Sequence, residues 1–99
     1  MLYDGTATVV AAGTKVPLAT VSTKADWVTV FGSTVVGSLF VGGSTVNAAS
    51  GRGAPLLSAG SANVLWPIAN GAHGAYDLSK IYIDSTASSD SVTYIYGRS

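Results

Sequence analysis

The stretch Trp27-Val28-Thr29-Val30-Phe31 decides the fold class of this chain. β-Branched and aromatic residues fill all of its positions, and these are the residue types that strands favour. Side chains alternate between the two faces of a strand, so Val28 and Val30 share one face and the other three residues share the opposite face. We therefore predict a central strand at this position.

The last third of the chain alternates in the same way. Ile81 and Ile83 are interleaved with Lys80, Tyr82 and Asp84, and Thr93 and Ile95 are interleaved with Val92, Tyr94 and Tyr96. This period of two is typical of half-buried strands. The polar connection from Ser85 to Ser91 predicts that the two strands form an antiparallel hairpin.

Further short strands are indicated along the rest of the chain, separated by glycine-rich or polar turns. The first two, Thr6–Ala11 and Lys15–Val21, are predicted to form a hairpin through a three-residue turn. Pro67 lacks a backbone donor and predicts the end or the edge of a strand. The other strand candidates are Ser38–Val41, Ser44–Val46, Leu56–Leu57 and Ala62–Trp66.

Seven or eight short strands at spacings near ten residues favour an all-β fold over a βαβ fold. We predict an antiparallel β-sandwich or a jelly-roll-like barrel that forms one domain over residues 1–99. Residues 1–4 precede the first predicted strand and are interpreted either as an N-terminal arm that reaches a neighbouring molecule or as a frayed end. Two exposed loops are expected, at Asn47–Gly53 and at Asn70–Gly74.

The chain carries very few charges. It has five Lys or Arg residues, five acidic residues that are all Asp, and a formal net charge of zero. Globular domains normally devote about a quarter of their residues to charges. A net charge of zero argues against nucleic acid and anionic membranes as partners. The small number of charges predicts a surface that favours permanent association in an assembly.

Residues suited to catalysis or metal binding are scarce. There is no Cys, so thiolate sites are excluded, and the single His73 has no second His with which to form a catalytic pair. Asp26, Asp77, Asp84 and Asp90 stand beside turns or strand ends, where a carboxylate commonly accepts backbone N–H bonds. We expect no enzyme activity and no cofactor.

Contact residues are predicted from exposure and residue type. Arg52 lies in the glycine-rich loop, and Arg is enriched at protein interfaces. Leu2 and Tyr3 belong to the possible arm. Most of the aromatic residues are expected in the core, whereas Tyr82 is the best candidate for an exposed ring, and Tyr76 and Trp66 are further candidates for a surface that stacks on sugars.

Several motifs occur in an order and spacing that resembles small virion proteins of tailed bacteriophages. Their shared pattern is a "V-G-G-S-x-V" turn, a "P-L-x-x-G" turn, a "D-L-S-K-I-Y-I-D" strand and a closing aromatic strand. The matching segments are Leu39–Val46, Gly53–Gly60, Asp77–Asp84 and Val92–Tyr96, with Gly5–Val9 and Lys15–Leu18 at the start. The longer insert from Ala69 to Tyr76 departs from the pattern.

The resemblance implies a β-sandwich building block of the phage particle, made in the host cytoplasm and located on the capsid surface of the virion. Its expected function is that of a capsid decoration, or cement, protein, which binds the major capsid protein as a homo-oligomer, either a trimer or a dimer. The alternative is a module of the tail, neck or fibre that binds a receptor or a carbohydrate. Neither expectation involves nucleic acid or a membrane.

Overall fold

The computed structural model describes residues 2–56 and 76–98, together with the backbone of the strand at residues 62–66. These parts are almost entirely β-structure. The one helical element among them is a 3₁₀ turn at Leu78–Lys80. The strands are β1 Leu2–Thr8, β2 Val16–Pro17, β3 Lys24–Ala25, β4 Trp27–Thr34, β5 Leu39–Gly42, β6 Ala54–Leu56, β7 Ala62–Trp66, β8 Tyr76–Asp77, β9 Tyr82–Ser85 and β10 Ser91–Gly97.

Two antiparallel four-stranded sheets form the two layers of the fold. Sheet 1 has the strand order β1-β10-β4-β7, and sheet 2 has the order β2-β9-β5-β6. The short strands β3 and β8 pair with each other outside these sheets. Neither sheet closes on itself, so the predicted all-β sandwich is confirmed and the barrel alternative is not the observed form.

The core lies between the two sheets. Sheet 1 contributes Val28, Val30 and Val92, which are completely buried, and sheet 2 contributes Leu39 and Ile83, of which at most 1% is exposed. As predicted, β4 is an inner strand, and its two valines face the core while the alternate residues face outward and are half-buried. The predicted alternation of β10 is confirmed as well.

Both predicted hairpins are wrong. β1 pairs with β10 and β2 pairs with β9, so the first two strands lie in different sheets. β9 and β10 are likewise separated, because their connection crosses from sheet 2 to sheet 1. The reason is that the alternation of side chains in a strand specifies which face is buried and not which strand lies alongside.

The described residues form ten strands, which is more than the predicted seven or eight. Three of them, β2, β3 and β8, are only two residues long, too short to leave an alternating pattern in the sequence. β7 occupies the predicted residues, ends immediately before Pro67 and is an edge strand. The loop at Asn47–Gly53 is mostly exposed, as expected, although Ala48 within it is buried. The second predicted loop, at Asn70–Gly74, lies outside the described residues.

Candidate interaction surfaces

Asp90 joins three parts of the chain at one end of the sandwich. Its buried carboxylate accepts hydrogen bonds from the backbone N–H groups of Val36 (2.8 Å) and Gly37 (3.0 Å) and from the hydroxyl of Ser85 (2.7 Å). The first two donors belong to the β4–β5 connection and the third to the end of β9. One carboxylate therefore fixes the loop that links the two sheets.

The segment after β1 is attached to the same end. The backbone N–H of Val9 donates to the carbonyl of Asp90 (2.8 Å), and Ser89 N–H donates to the carbonyl of Val9 (2.7 Å). Ser89 adopts a positive φ of 72° to make this turn. Hydrogen bonds thus hold the loops at this end, together with the packing of Val9 and Val35 against the core.

Two valines project from these fixed loops. Val10 is 76% exposed and Val36 is 80% exposed. We call this pair the valine tip. No other large apolar side chain of the described residues is as exposed as these two, which makes the valine tip a candidate contact surface. The sequence pattern does not reveal the valine tip, because it predicts that Val10 lies within the strand Thr6–Ala11.

Asp84 performs a similar function beneath the loop that carries Arg52. Its buried carboxylate accepts hydrogen bonds from the backbone N–H groups of Ala48 (2.9 Å) and Ser85 (2.9 Å). Asn47 and Arg52 exchange two backbone hydrogen bonds, of 2.9 and 2.8 Å, that close the loop. Arg52 is exposed, as predicted, and the loop presents it in a fixed position.

Tyr82 lines a surface cleft of about 380 Å³ next to this loop. The ring is half-buried, and the Lys15 ammonium lies 5.9 Å from its centroid. Asn47 and Asp84 also line the cleft. The predicted exposed ring is therefore partly covered, and the structure brings Tyr82 and the Arg52 loop to neighbouring positions.

Asp77 fixes the segment between β2 and β3. The Ser22 hydroxyl (2.7 Å) and the Thr23 backbone N–H (3.1 Å) donate to its carboxylate, and Ser79 donates through both its hydroxyl (2.7 Å) and its N–H (3.0 Å). These bonds, with that of the Ser22 hydroxyl first, hold the pKa of Asp77 well below its usual range. The predicted use of Asp77, Asp84 and Asp90 as acceptors of backbone bonds is confirmed.

Leu2 and Tyr3 lie at the opposite end of sheet 1 from the valine tip, because they are at the start of β1 and Val10 follows its end. Residues 2–4 are paired with β10 as the start of β1, so in this structure they form part of the sheet and not a separate arm. Leu2 is 65% exposed. The Tyr3 ring stacks on Tyr96 with a centroid separation of 5.3 Å, and the Arg98 guanidinium lies 5.8 Å from its centre.

The remaining candidates are separate from these surfaces. Tyr76 is half-buried and packs against the core, which makes it a packing residue. The side chain of Trp66 and all of His73 lie outside the described residues. Among the described residues, no cluster of three or more His, Cys, Asp or Glu side chains is placed to hold a metal ion, and no helix is long and apolar enough to span a membrane.

Comparison with known proteins yields no relative of this chain. No family model matches it, and neither the curated proteins nor the solved structures include a significant match.

Proposed function

We propose that this chain is a structural virion protein, a capsid decoration or cement protein that binds the outer surface of a bacteriophage head and stabilises contacts between major capsid subunits. The proposal combines the resemblance of the sequence motifs with the surface of the described residues. A two-layer sandwich of this kind offers flat, weakly charged faces, and many copies on one shell convert weak single contacts into firm attachment.

The observation that carries the proposal is the valine tip. Val10 and Val36 are the most exposed large apolar side chains in the described part of the chain. The Val36 N–H donates to the carboxylate of the completely buried Asp90, and the N–H of Val9, the neighbour of Val10, donates to the Asp90 carbonyl. Such an arrangement costs solubility, and contact with a partner protein would offset that cost by removing the valines from water.

The test is the location and copy number of the chain in virus particles. Particles are purified from cells that produce the chain, its copies are counted by quantitative mass spectrometry, and its position is determined by cryo-electron microscopy. A decoration protein is expected in many copies on the outer shell. Absence from purified particles would overturn the proposal, and a few copies at the tail would favour the alternative below.

Matched valine variants then test the surface itself. Val36→Lys places a charge in the tip, whereas Val21→Lys places the same charge at a valine that is 69% exposed elsewhere. We expect Val36→Lys to weaken binding to particles that lack the chain at least about tenfold, since burying an unpaired ammonium is costly. Val21→Lys serves as the control and is expected to bind as the unmodified chain does.

The second candidate function is carbohydrate binding by a tail, neck or fibre module. The observation that favours it is the cleft that Tyr82 lines together with the polar residues Asn47 and Asp84. Rings with neighbouring polar groups are suited to sugars. Binding on a glycan array that is lost in Tyr82→Ala would support this function, and an array without any binding would remove it.

A further inference from the structure

The edges of the two sheets differ in how they are protected. Both edge strands of sheet 2 are short and contain proline, Pro17 in β2 and Pro55 in β6. Proline lacks a backbone donor and blocks the addition of another strand. On sheet 1, β7 has five residues and ends before Pro67. β1, the other edge, has seven residues, no proline and a single charge, that of Asp4.

The direction of the free backbone groups of β1 follows from hydrogen bonds at the two ends of the ladder. Val9 bonds to Asp90 and Ser89 through both its N–H and its carbonyl, so the odd-numbered residues of β1 face β10. At the other end, the Gly97 carbonyl faces β4, where it accepts from Asp26 N–H (2.8 Å), which leaves the even-numbered residues of β10 to face β1. By alternation, Leu2, Asp4, Thr6 and Thr8 direct their N–H and carbonyl groups to the open edge.

We propose that β1 pairs with β1 of a second copy of this chain, which forms a two-fold symmetric dimer with one continuous eight-stranded sheet. The two-fold axis passes at Gly5. Asp4 then lies opposite Thr6 of the partner copy, and Leu2 opposite Thr8, so that all four outward-facing residues of each strand form hydrogen-bonded pairs. The dimer is closed, because a two-fold interface of this kind uses the same β1 edge of both copies.

The single charge disfavours one of the two neighbouring registers, and the disulfide experiment below distinguishes the proposed register from the other, in which Thr6 would face Thr6. If the two-fold axis passed at Asp4 instead of Gly5, Asp4 of one copy would lie opposite Asp4 of the other. Like charges directly opposite each other in a sheet are unfavourable. In the proposed register the Asp4 carboxylate instead faces a Thr6 hydroxyl, which can donate to it. Gly5 faces Gly5 in the closely spaced pair that makes no hydrogen bonds, where no side chains compete for space.

The occupant of the edge is a second copy rather than a strand of another protein because β1 complements itself. Rotation about Gly5 brings the Asp4 carboxylate of each copy to the Thr6 hydroxyl of the other, with no cation required from elsewhere. The inference concerns the isolated chain and is independent of the capsid proposal. Its failure would leave the capsid proposal standing, and absence from virus particles would leave the dimer standing.

Sedimentation equilibrium of the purified chain is the first measurement, and a dimer is expected. Thr6→Pro removes an outward-facing N–H without touching the bonds to β10, whereas Thr6→Ser keeps both that N–H and the hydroxyl and is the control. We expect Thr6→Pro to remain folded by circular dichroism and to become monomeric. A wild-type chain that is monomeric at millimolar concentration overturns the proposal, and so does a folded Thr6→Pro chain that is still a dimer.

Disulfide trapping tests the register, and it needs no background removal because the chain has no cysteine. Hydrogen-bonded antiparallel pairs have Cα atoms about 5.5 Å apart, within the range for a disulfide. A mixture of Asp4→Cys and Thr6→Cys chains should therefore form a mixed disulfide dimer by intact mass, while each variant alone should not cross-link. Cross-linking of Thr6→Cys with itself, or no cross-link in the mixture, contradicts the register.

Charge at position 6 gives an independent measurement that does not depend on oxidation. Thr6→Lys places an ammonium opposite Asp4 of the partner at both symmetric sites, and Thr6→Asp places a second carboxylate there. Cross-strand charge pairs predict a dissociation constant roughly 2- to 30-fold lower for Thr6→Lys and higher by a similar factor for Thr6→Asp. The double variant Asp4→Lys/Thr6→Asp should restore dimerisation. Equal dissociation constants for Thr6→Lys and Thr6→Asp would count against the proposed pairing.

Discussion

The carboxylate of Asp90 shows how a single buried residue can determine the shape of an exposed surface. It accepts from two N–H groups of the β4–β5 connection and from the Ser85 hydroxyl. Val36, the most exposed large apolar residue among those described, is one of these donors. The position of the valine tip thus depends on a polar interaction and not on contacts made by the valines themselves.

Replacement of Asp90 is expected to destabilise the fold strongly. Hydrogen bonds to a carboxylate are worth about 1.5–3 kcal/mol each, and removing the acceptor leaves buried donors without a partner. We predict that Asp90→Ala lowers the free energy of unfolding by about 3 kcal/mol or more, and that Asp90→Asn, which retains one carbonyl oxygen, has a smaller effect. Urea denaturation measures both values. Ser33→Ala, at an exposed serine of β4, is the control and should change stability little.

Asp77 should make the stability of the chain sensitive to acid. Its folded-state pKa is held below the unfolded value, first by the Ser22 hydroxyl and then by Ser79. The resulting stabilisation is fully present above the unfolded pKa of about 4 and is lost as the pH falls below it toward the folded value. The urea midpoint should therefore decline as the pH is lowered below about 4.

Ser22→Ala removes the largest cause of this pKa shift and is expected to flatten the decline. Ser33→Ala, at an exposed serine of β4, is the matched control and should retain the pH profile of the unmodified chain. The measurement is the urea midpoint of the three proteins at pH 7, 4 and 2. Parallel profiles for Ser22→Ala and the unmodified chain would show that Asp77 does not cause the acid sensitivity.

At the scale of elements, β1 and β10 fit together because one residue has no side chain. Gly5 lies opposite Tyr94, and a Cβ added at Gly5 would approach the Tyr94 hydroxyl oxygen to 2.5 Å. The Tyr94 ring is only 8% exposed and packs against Tyr96. It therefore cannot easily move aside.

Gly5→Ala should accordingly separate the edge strand from its neighbour. Overpacking of a well-filled site typically costs about 1–3 kcal/mol, and we expect a loss of unfolding free energy in this range. Gly43→Ala is the control, because no atom lies within 4 Å of a Cβ added there. Thermal or urea unfolding of the two variants gives the comparison. Equal stability of both variants would mean that the Tyr94 ring has room to shift.

The strands themselves could be predicted from the sequence, but their partners could not. The alternation in β4 and β10 follows from burial on one face, which leaves a local pattern. β9 departs from the predicted alternation, because Asp84 is buried as well as Ile83. The pairing of β1 with β10 joins residues near the two ends of the chain, and no local signal encodes it. Turn chemistry suggested hairpins because a polar connection between two strands looks the same whether it returns to the same sheet or crosses to the other.

The candidate surfaces were predictable to a similar degree. Exposure of Arg52 follows from a loop rich in glycine, which is a local property. The cover that Lys15 provides for Tyr82 depends on the pairing of β2 with β9, and the valine tip depends on a carboxylate more than fifty residues from Val36. Features of this kind require the tertiary structure.

At the scale of the whole molecule, the last strand completes sheet 1. β10 lies between β1 and β4 and contributes Val92 and Tyr94 to the core. Because its partners are separated from it by most of the chain, sheet 1 cannot form in part and then extend along neighbouring hairpins. The stability of the domain is therefore expected to depend very unequally on its two terminal segments.

Two truncations measure this inequality. Removal of residues 91–99 takes away the strand shared by β1 and β4, and we expect a chain without cooperative unfolding or dispersed amide resonances, since so much of a small core is lost. Removal of residues 1–4 shortens only an edge strand and should leave a folded but less stable domain. Because residues 2–4 also form half of the proposed dimer edge, the shorter chain should sediment as a monomer. A folded dimer without residues 1–4 would show that association uses another surface, and a folded chain without residues 91–99 would show that β10 is dispensable to the core.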